Sequence, residues 1–200
     1  MKSIFEFVVK PLGNRYNNSV EVGDKSLILN TEVFNHQYVN REATIISTPI
    51  YNPKGLKEGD IVILHHNVFR RWHNVKGIEK NSRSFLNEDE YLVSEDQMFM
   101  YKRDGQWVAM PGFTFVKPIK SQNNYDLTPE KPLVGIVKYS DGAFLPTQLV
   151  GFRPNSEYEF IIDGERLYRV MNSFITIEYE YKGDEEEYNP SWAESCRRVN

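Results

Sequence analysis

The sequence predicts an all-β protein, and three observations carry this prediction. Short stretches of alternating apolar and polar residues recur along the whole chain of 200 residues, which is typical of strands with one buried face. The chain contains 12 Tyr and 12 Phe, and aromatic side chains pack well on a pleated surface. Two Asp-Gly pairs, Asp104-Gly105 and Asp163-Gly164, each separate two alternating segments and so predict β-hairpins.

The alternating segments give the expected strands in chain order. They are residues 4–9, 44–46, 61–64, 98–101, 107–110, 113–116, 134–139, 158–162, 167–170 and 174–181. Strands this short and this closely spaced favour a sandwich or a barrel over a parallel sheet with crossover helices.

The sequence also contains an internal repeat. The segment Phe5-Glu-Phe-Val-Val-Lys-Pro-Leu12 is similar to Phe113-Thr-Phe-Val-Lys-Pro-Ile119, and an Asn-rich segment follows each. Two further matches are residues 55–64 with 151–160, and the tyrosine-rich segments 90–101 with 166–181. Two similar β units in tandem explain these matches better than one continuous barrel.

These matches divide the chain into three expected parts. Residues 1–103 form a first β-barrel, residues 104–182 form a second and shorter one, and residues 183–200 form an acidic tail. The tail begins Gly-Asp-Glu-Glu-Glu, a composition typical of solvated and partly disordered chain. We expect its Trp192 to return onto its own domain; docking on a neighbouring molecule is the alternative.

Composition narrows the classes of partner and compartment. A net charge of −4 provides no general attraction for nucleic acid or an anionic membrane, so neither is expected as a partner. No apolar run approaches the roughly 18 residues of a membrane helix, and Glu6 and Lys10 interrupt any signal-peptide core. The single cysteine, Cys196, fits a reducing compartment. We therefore expect a soluble cytoplasmic protein.

Catalytic, cofactor and metal sites are not expected. The sequence contains neither a Gly-x-Ser-x-Gly elbow nor a phosphate-binding glycine loop, so we expect a protein that is not an enzyme. His65 and His66 are adjacent, and adjacent residues of a strand point to opposite faces. Because no cysteine or close carboxylate completes a ligand set, no metal is expected there.

The run Leu27-Ile28-Leu29 lies between polar segments and has two interpretations. In a buried strand, alternation would send Leu27 and Leu29 to one face and Ile28 to the other. An exposed aliphatic triplet is a liability unless a partner uses it. We favour an exposed partner-binding segment, and the second unit has no such triplet, only Tyr125 and Leu127 in a shorter loop.

A second candidate site is Arg70-Arg71-Trp72. Arginine and tryptophan together could stack on bases and neutralise phosphates. They are also enriched in protein interfaces. Because the chain is acidic overall, we favour a subunit contact for Arg70, Arg71 and Trp72.

The first unit resembles the GroES-type co-chaperonins. The resemblance rests on five segments in the family's order: Val9-Lys10-Pro11-Leu12, the triplet, the return strand Ala43 to Ser47, Leu56-Lys-Glu-Gly-Asp-Ile-Val-Ile-Leu64 and the closing residues 87–101. The second unit is a weaker copy, so the whole chain resembles a double-domain co-chaperonin of the plastid kind or a divergent, virus-encoded one. Residues 48–54 are too short for the family's roof hairpin, and residues 65–86 are longer than expected.

The resemblance implies two tandem GroES-like small β-barrels and a function. Such a protein forms a homo-oligomeric ring that caps an ATP-loaded GroEL-type chaperonin ring and assists protein folding. Leu27, Ile28 and Leu29 would bind the chaperonin, ATP would be consumed by the partner, and the location would be the host cytoplasm if the protein is viral. The alternative is a structural or assembly protein, for example of a virus particle, that reuses the barrel for subunit packing.

Overall fold

The computed structural model of the chain describes residues 3–16, 19–22, 25–28, 39–122 and 129–194. It confirms that the protein is all-β, with antiparallel sheets. The chain divides into two compact units, Met1–Gln106 (unit 1) and Trp107–Asn200 (unit 2).

Unit 1 is built around one large antiparallel sheet. Its described strands are β1 Phe7–Pro11, β2 Ser19–Val22, β3 Lys25–Ile28, β4 Glu42–Ser47, β5 Ile61–Leu64, β6 Arg71–His73, β7 Glu79–Asn81, β8 Phe85–Asn87, β9 Glu90–Val93, β10 Met98–Arg103 and β11 Gln106–Ala109. The strand order in the large sheet is β11-β10-β5-β4-β1-β9-β8, and the division between the units falls inside β11. Two separate two-stranded sheets, β2-β3 and β6-β7, lie outside it.

Unit 2 contains one six-stranded sheet and a short helix. Its described elements are β12 Phe113–Lys120, β13 Glu130–Ser140, β14 Leu149–Phe152, β15 Tyr158–Ile162, β16 Glu165–Met171, β17 Ile175–Tyr179 and α1 Ser191–Glu194. The strand order is β15-β16-β12-β13-β14-β17.

The two sheets repeat one strand order. Six strands follow the same order in each sheet: β10-β5-β4-β1-β9-β8 in unit 1 corresponds to β17-β14-β13-β12-β16-β15 in unit 2. In each unit a 3₁₀ turn joins the last two strands of this set. It is Glu95–Gln97 between β9 and β10, and Asn172–Phe174 between β16 and β17. The internal echo seen in the sequence therefore reflects a repeated topology.

Irregularities in strand pairing recur at equivalent places. The register of the first strand shifts between Val8 and Val9 in β1, and between Phe115 and Val116 in β12. A bulge re-aims the residues that follow it and increases the local twist. Its recurrence indicates that both sheets bend at the same point.

The repeated Lys-Pro pair meets a small residue in both units. Pro11 lies opposite Ala43, and Pro118 lies opposite Gly135. Gly135 has no room for a larger side chain, because an added Cβ would lie 2.8 Å from the carbonyl oxygen of Lys117.

One sequence match was wrong. The sequence matches residues 55–64 with residues 151–160, but the counterpart of β5 in the sheet order is β14, at Leu149–Phe152. Gly151 is a strand residue packed against Tyr179, whereas Gly59 precedes its strand with φ +91°. A short apolar run does not indicate which strand it pairs with, so the sequence match places β5 opposite the wrong strand of unit 2.

Both Asp-Gly hairpins are confirmed. Asp104 and Gly105 have φ values of 51° and 79°, and Asp163 and Gly164 have φ values of 51° and 81°. Positive φ at both central residues is the conformation of a type I′ turn, which matches the twist of the flanking strands.

Each unit has its own apolar core. The largest fully buried side chains include Phe7, Ile45 and Tyr91 in unit 1, and Phe115 and Ile162 in unit 2. Pairing among the described strands leaves each large sheet open. The closed barrels expected from the sequence stay a prediction.

The acidic tail is not a free segment over the residues that the structure describes. The amide of Lys120 donates to Glu186, the amide of Tyr188 donates to Pro118, and Glu187 forms a bridge with Ile119. Ion pairs join Lys117 to Glu187 and Lys120 to Glu186. The tail therefore lies along the C-terminal residues of β12, joined to them by backbone bonds and ion pairs, instead of being partly disordered there.

Trp192 returns onto its own unit, as expected. Its ring lies 5.9 Å from the guanidinium carbon of Arg166. The neighbouring Ala193 is fully buried. Cys196 lies outside the described residues.

Asp60, in the Gly-Asp-Ile-Val segment, is a buried and fully engaged carboxylate with 6% of its surface exposed. It accepts hydrogen bonds from Arg103 Nε at 3.0 Å and from the Lys57 amide at 2.8 Å. Burial alone would raise the pKa of this carboxyl, but the hydrogen bonds from Arg103 and Lys57 outweigh it and hold the pKa below its ordinary value.

This lowered pKa predicts a specific acid sensitivity. A carboxyl that is more acidic in the folded state stabilises the fold above its unfolded pKa of about 3.9, and the contribution is lost as pH falls through the lower folded pKa. Wild type should therefore exceed Asp60→Asn in stability at neutral pH, and the gap should close on acidification. Urea midpoints of both proteins between neutral pH and pH 3 would show this, and a gap independent of pH would contradict it.

Candidate functional site

The Leu27 run lies in a long connection between β1 and β4, which we call the connecting segment (residues 12–41). Within it, β2 and β3 pair as a hairpin, with Val20 opposite Leu27 and Ser19 opposite Ile28. This hairpin pairs with no other described strand. Leu29 lies outside the described residues. The run is thus partly strand, as one interpretation had it, but in a hairpin separate from the main sheet, so its proposed role stays a prediction.

The base of the connecting segment is held by Asn40. This side chain is 1% exposed, and its amide nitrogen donates to the carbonyl oxygens of Leu12 and Asn14, each at 2.9 Å. Its carbonyl oxygen accepts from the Glu42 amide at 3.0 Å. The bonds to Leu12 and Asn14 tie the two ends of the segment together where it leaves the sheet, and the bond from Glu42 fixes the Asn40 side chain at the second end.

Arg15 anchors the same base to a different part of unit 1. Its Nε donates to the Phe69 carbonyl at 2.7 Å and Nη2 to the Arg70 carbonyl at 3.4 Å. The guanidinium also lies within 5.4 Å of the ring centres of Phe85 and Tyr91. Burial lowers the pKa of Arg15 from its ordinary value, because desolvation disfavours the charged form. Arg15 and Asn40 stood out in no sequence pattern, since both occur in polar stretches.

The predicted Arg70-Arg71-Trp72 site is divided by the structure. Arg71 contacts Tyr16: its amide donates to the Tyr16 hydroxyl at 2.6 Å, and its guanidinium lies 4.9 Å from the ring centre. It also pairs with Glu79 at 3.4 Å. The positive charge of Arg71 is therefore already matched within unit 1.

Arg70 and Trp72 instead line a cavity of about 530 Å³, which we call the Arg-Trp cavity. The other lining residues that matter chemically are Arg83, Asn67, Ser84 and Gln97. None of its lining residues, all of them described, is acidic. Trp72 lies in β6 and Arg70 directly precedes that strand, whereas the Arg71 guanidinium lies over the ring of Tyr16.

Unit 1 also carries an exposed apolar surface, which we call the Ile4–Tyr51 patch. It consists of Ile4, Phe5, Ile50 and Tyr51, all more than half exposed. The amide of Tyr51 donates to the Ile4 carbonyl, and the rings of Phe5 and Tyr51 meet edge to face at 6.2 Å. Contiguous exposed apolar residues of this kind mark interaction surfaces.

The histidine pair is arranged differently from the expectation. His65 and His66 follow β5 in a turn, and their rings stack with centres 4.3 Å apart, so they do not point to opposite faces. The alternation rule failed here because the strand ends at Leu64. In the described parts of the chain, no group of three or more histidine, cysteine or acidic side chains is placed to hold a metal ion.

No helix within the described ranges is long and apolar enough to cross a membrane.

Comparisons of the chain with known protein families, with curated proteins and with solved structures found no match. The candidate sites accordingly rest on the geometry of this chain alone.

Proposed function

We propose that the protein is a double-domain co-chaperonin that caps an ATP-loaded, GroEL-type chaperonin ring and assists protein folding. One observation carries the proposal: an aliphatic run lies in a hairpin that pairs with no other described strand of the first unit, and the sequence of the second unit has no such triplet. The corresponding connection of unit 2 covers only residues 121–129, against residues 12–41 in unit 1. The partner would be held by unit 1, through Leu27, Ile28 and Leu29.

The repeated strand order supports the finer part of this proposal, two tandem GroES-like barrels. The first strand lies between β4 and β9 in unit 1 and between β13 and β16 in unit 2, and its register shifts at the same point in both units. Each sheet would then close around its own core.

The architecture of the connecting segment suits a reversible contact. Arg15 and Asn40 fix its base, so the hairpin starts from a defined position. Burying three aliphatic side chains contributes about 1.5–3 kcal/mol each, whereas ordering a flexible backbone costs about 1–2 kcal/mol per residue. One segment therefore binds weakly, and several segments in a homo-oligomeric ring would bind firmly through avidity. The Ile4–Tyr51 patch is a surface that such a ring can bury.

A capture experiment tests the proposal. Immobilised GroEL-type chaperonin should retain the wild-type protein in the presence of ATP, and Ile28→Asp should remove most of this capture because a carboxylate cannot be buried in an apolar contact. Leu127→Asp, in the shorter loop of unit 2, is the matched control and should be captured like wild type. Capture that does not depend on nucleotide, or that Ile28→Asp leaves unchanged, would refute the proposal.

A specific observation favours the second candidate, a structural or assembly protein. Residues 48–56 form turns with no strand among them, so the roof hairpin of the co-chaperonins has no counterpart there. The Asn52 side chain holds these turns by donating to the Leu56 carbonyl and accepting from the Leu56 amide. The added hairpin β6-β7 and the Arg-Trp cavity occupy the region after β5 instead. Native mass spectrometry would separate the candidates: a closed ring of fixed size supports a cap, and an open series of assemblies supports the alternative.

A further inference from the structure

The Arg-Trp cavity has the composition of a ligand site. Its volume of about 530 Å³ falls within the range of about 300–1,000 Å³ that is usual for small-molecule sites. It combines two guanidinium groups, neutral hydrogen-bond donors and one large aromatic ring, without a carboxylate among its lining residues.

The two guanidinium groups are available to a ligand. Arg71, between Arg70 and Trp72, is paired with Glu79, but neither Arg70 nor Arg83 has an acidic partner among the described residues. Arg70 Nε is buried and has no hydrogen-bond partner in that part of the chain. Planar guanidinium groups bind phosphate through paired hydrogen bonds.

The aromatic wall is positioned by the fold. Trp72 lies in β6, opposite Lys80 of β7, and 37% of its surface is exposed. The preceding Val68 and Phe69 are fully buried, and the Ser82 hydroxyl donates to the Val68 carbonyl. The indole is therefore presented on a fixed hairpin, where a flat ring can stack on it.

From this juxtaposition we infer that the Arg-Trp cavity binds a small phosphorylated ligand that carries a flat ring, the chemistry of a mononucleotide. Arg70 and Arg83 hold the phosphate, Trp72 stacks on the ring, and Asn67 and Gln97 supply neutral polar contacts. This site shares no residue with the Leu27 run, so a negative result for ligand binding would not bear on the chaperonin capture experiment.

Titration with AMP tests the inference, with adenosine and inorganic phosphate as partial ligands. Calorimetry should show AMP binding more tightly than either partial ligand. Arg70→Gln and Arg83→Gln should each weaken AMP binding about tenfold, since each removes a charge-assisted contact. Arg153→Gln, an exposed arginine of unit 2, is the matched control and should bind AMP like wild type.

The indole N–H signals locate the ligand. The chain has three Trp residues, and Trp72→Phe identifies the signal of Trp72. AMP should shift this signal and leave those of Trp107 and Trp192 in place. The inference is overturned if AMP does not bind, if phosphate binds as tightly as AMP, or if the Trp72 signal does not move. Tighter binding of a single-stranded oligonucleotide than of AMP would assign the surface to nucleic acid and would also overturn it.

Discussion

Gly135→Ala is expected to destabilise unit 2 by about 2–3 kcal/mol, the upper part of the range for overpacking. The added Cβ would lie 2.8 Å from the Lys117 carbonyl oxygen and 2.9 Å from Val116 Cγ2. Neither group is the free end of a flexible side chain, so β12 and β13 would have to separate. Urea unfolding would give the loss, and faster hydrogen exchange of the β12 and β13 amides would locate it.

The repeat supplies a matched control for Gly135. Ala43 occupies the equivalent position opposite Pro11, and its Cβ is accommodated there in a fully buried site. Ala43→Gly should cost about 0.5–1 kcal/mol, the usual penalty for glycine within a regular element. Equal effects of the two substitutions would contradict the close approach at Gly135.

Arg15→Ala should destabilise unit 1 by about 3 kcal/mol, because hydrogen bonds from a charged donor and contacts over aromatic rings are lost together. The carbonyl groups of Phe69 and Arg70 would lose their partner, and the rings of Phe85 and Tyr91 would lose the guanidinium that lies over them. Urea unfolding measures the loss. Exchange of the Arg71 amide, which donates to Tyr16, should accelerate as the base of the connecting segment loosens.

Two further variants frame the Arg15 result. Arg15→Lys keeps the charge but has no planar fork to reach both carbonyl groups, so it should lose part of the stability. Lys76→Ala removes an exposed cation from the same unit and should stay within about 0.5 kcal/mol of wild type. An Arg15→Ala protein as stable as Lys76→Ala would show that the base is held by Asn40 alone.

The strand content, the two hairpins and the tandem repeat were predictable because their signals are local. Alternation marks a strand with one buried face, and Asp-Gly marks a turn that needs positive φ. The Lys-Pro match is confirmed, because Pro11 and Pro118 occupy equivalent positions opposite a small residue in the two sheets. The match of residues 55–64 failed because an apolar run does not carry its own pairing partner.

The sequence indicated some residues of the candidate sites but not which of them lie together. Arg70, Arg71 and Trp72 drew attention as a group, yet the group does not act together, since Arg71 turns to Tyr16 and Glu79. Arg83 and Gln97 reach the same cavity from segments well separated in sequence. No spacing rule connects such residues, because their proximity follows from the pairing of β6 with β7 and of β5 with β10.

Local patterns in the sequence are enough to predict an all-β chain, a repeated unit, and an aliphatic triplet in the loop after the first strand of the first unit. Only the folded chain shows which strands are neighbours, that the triplet begins in a hairpin outside the main sheet, and which arginines line the Arg-Trp cavity. The difference follows from the range of the interactions. Backbone preferences and side-chain alternation act between near neighbours in the chain, whereas burial, charge pairing and register depend on residues that meet only after folding.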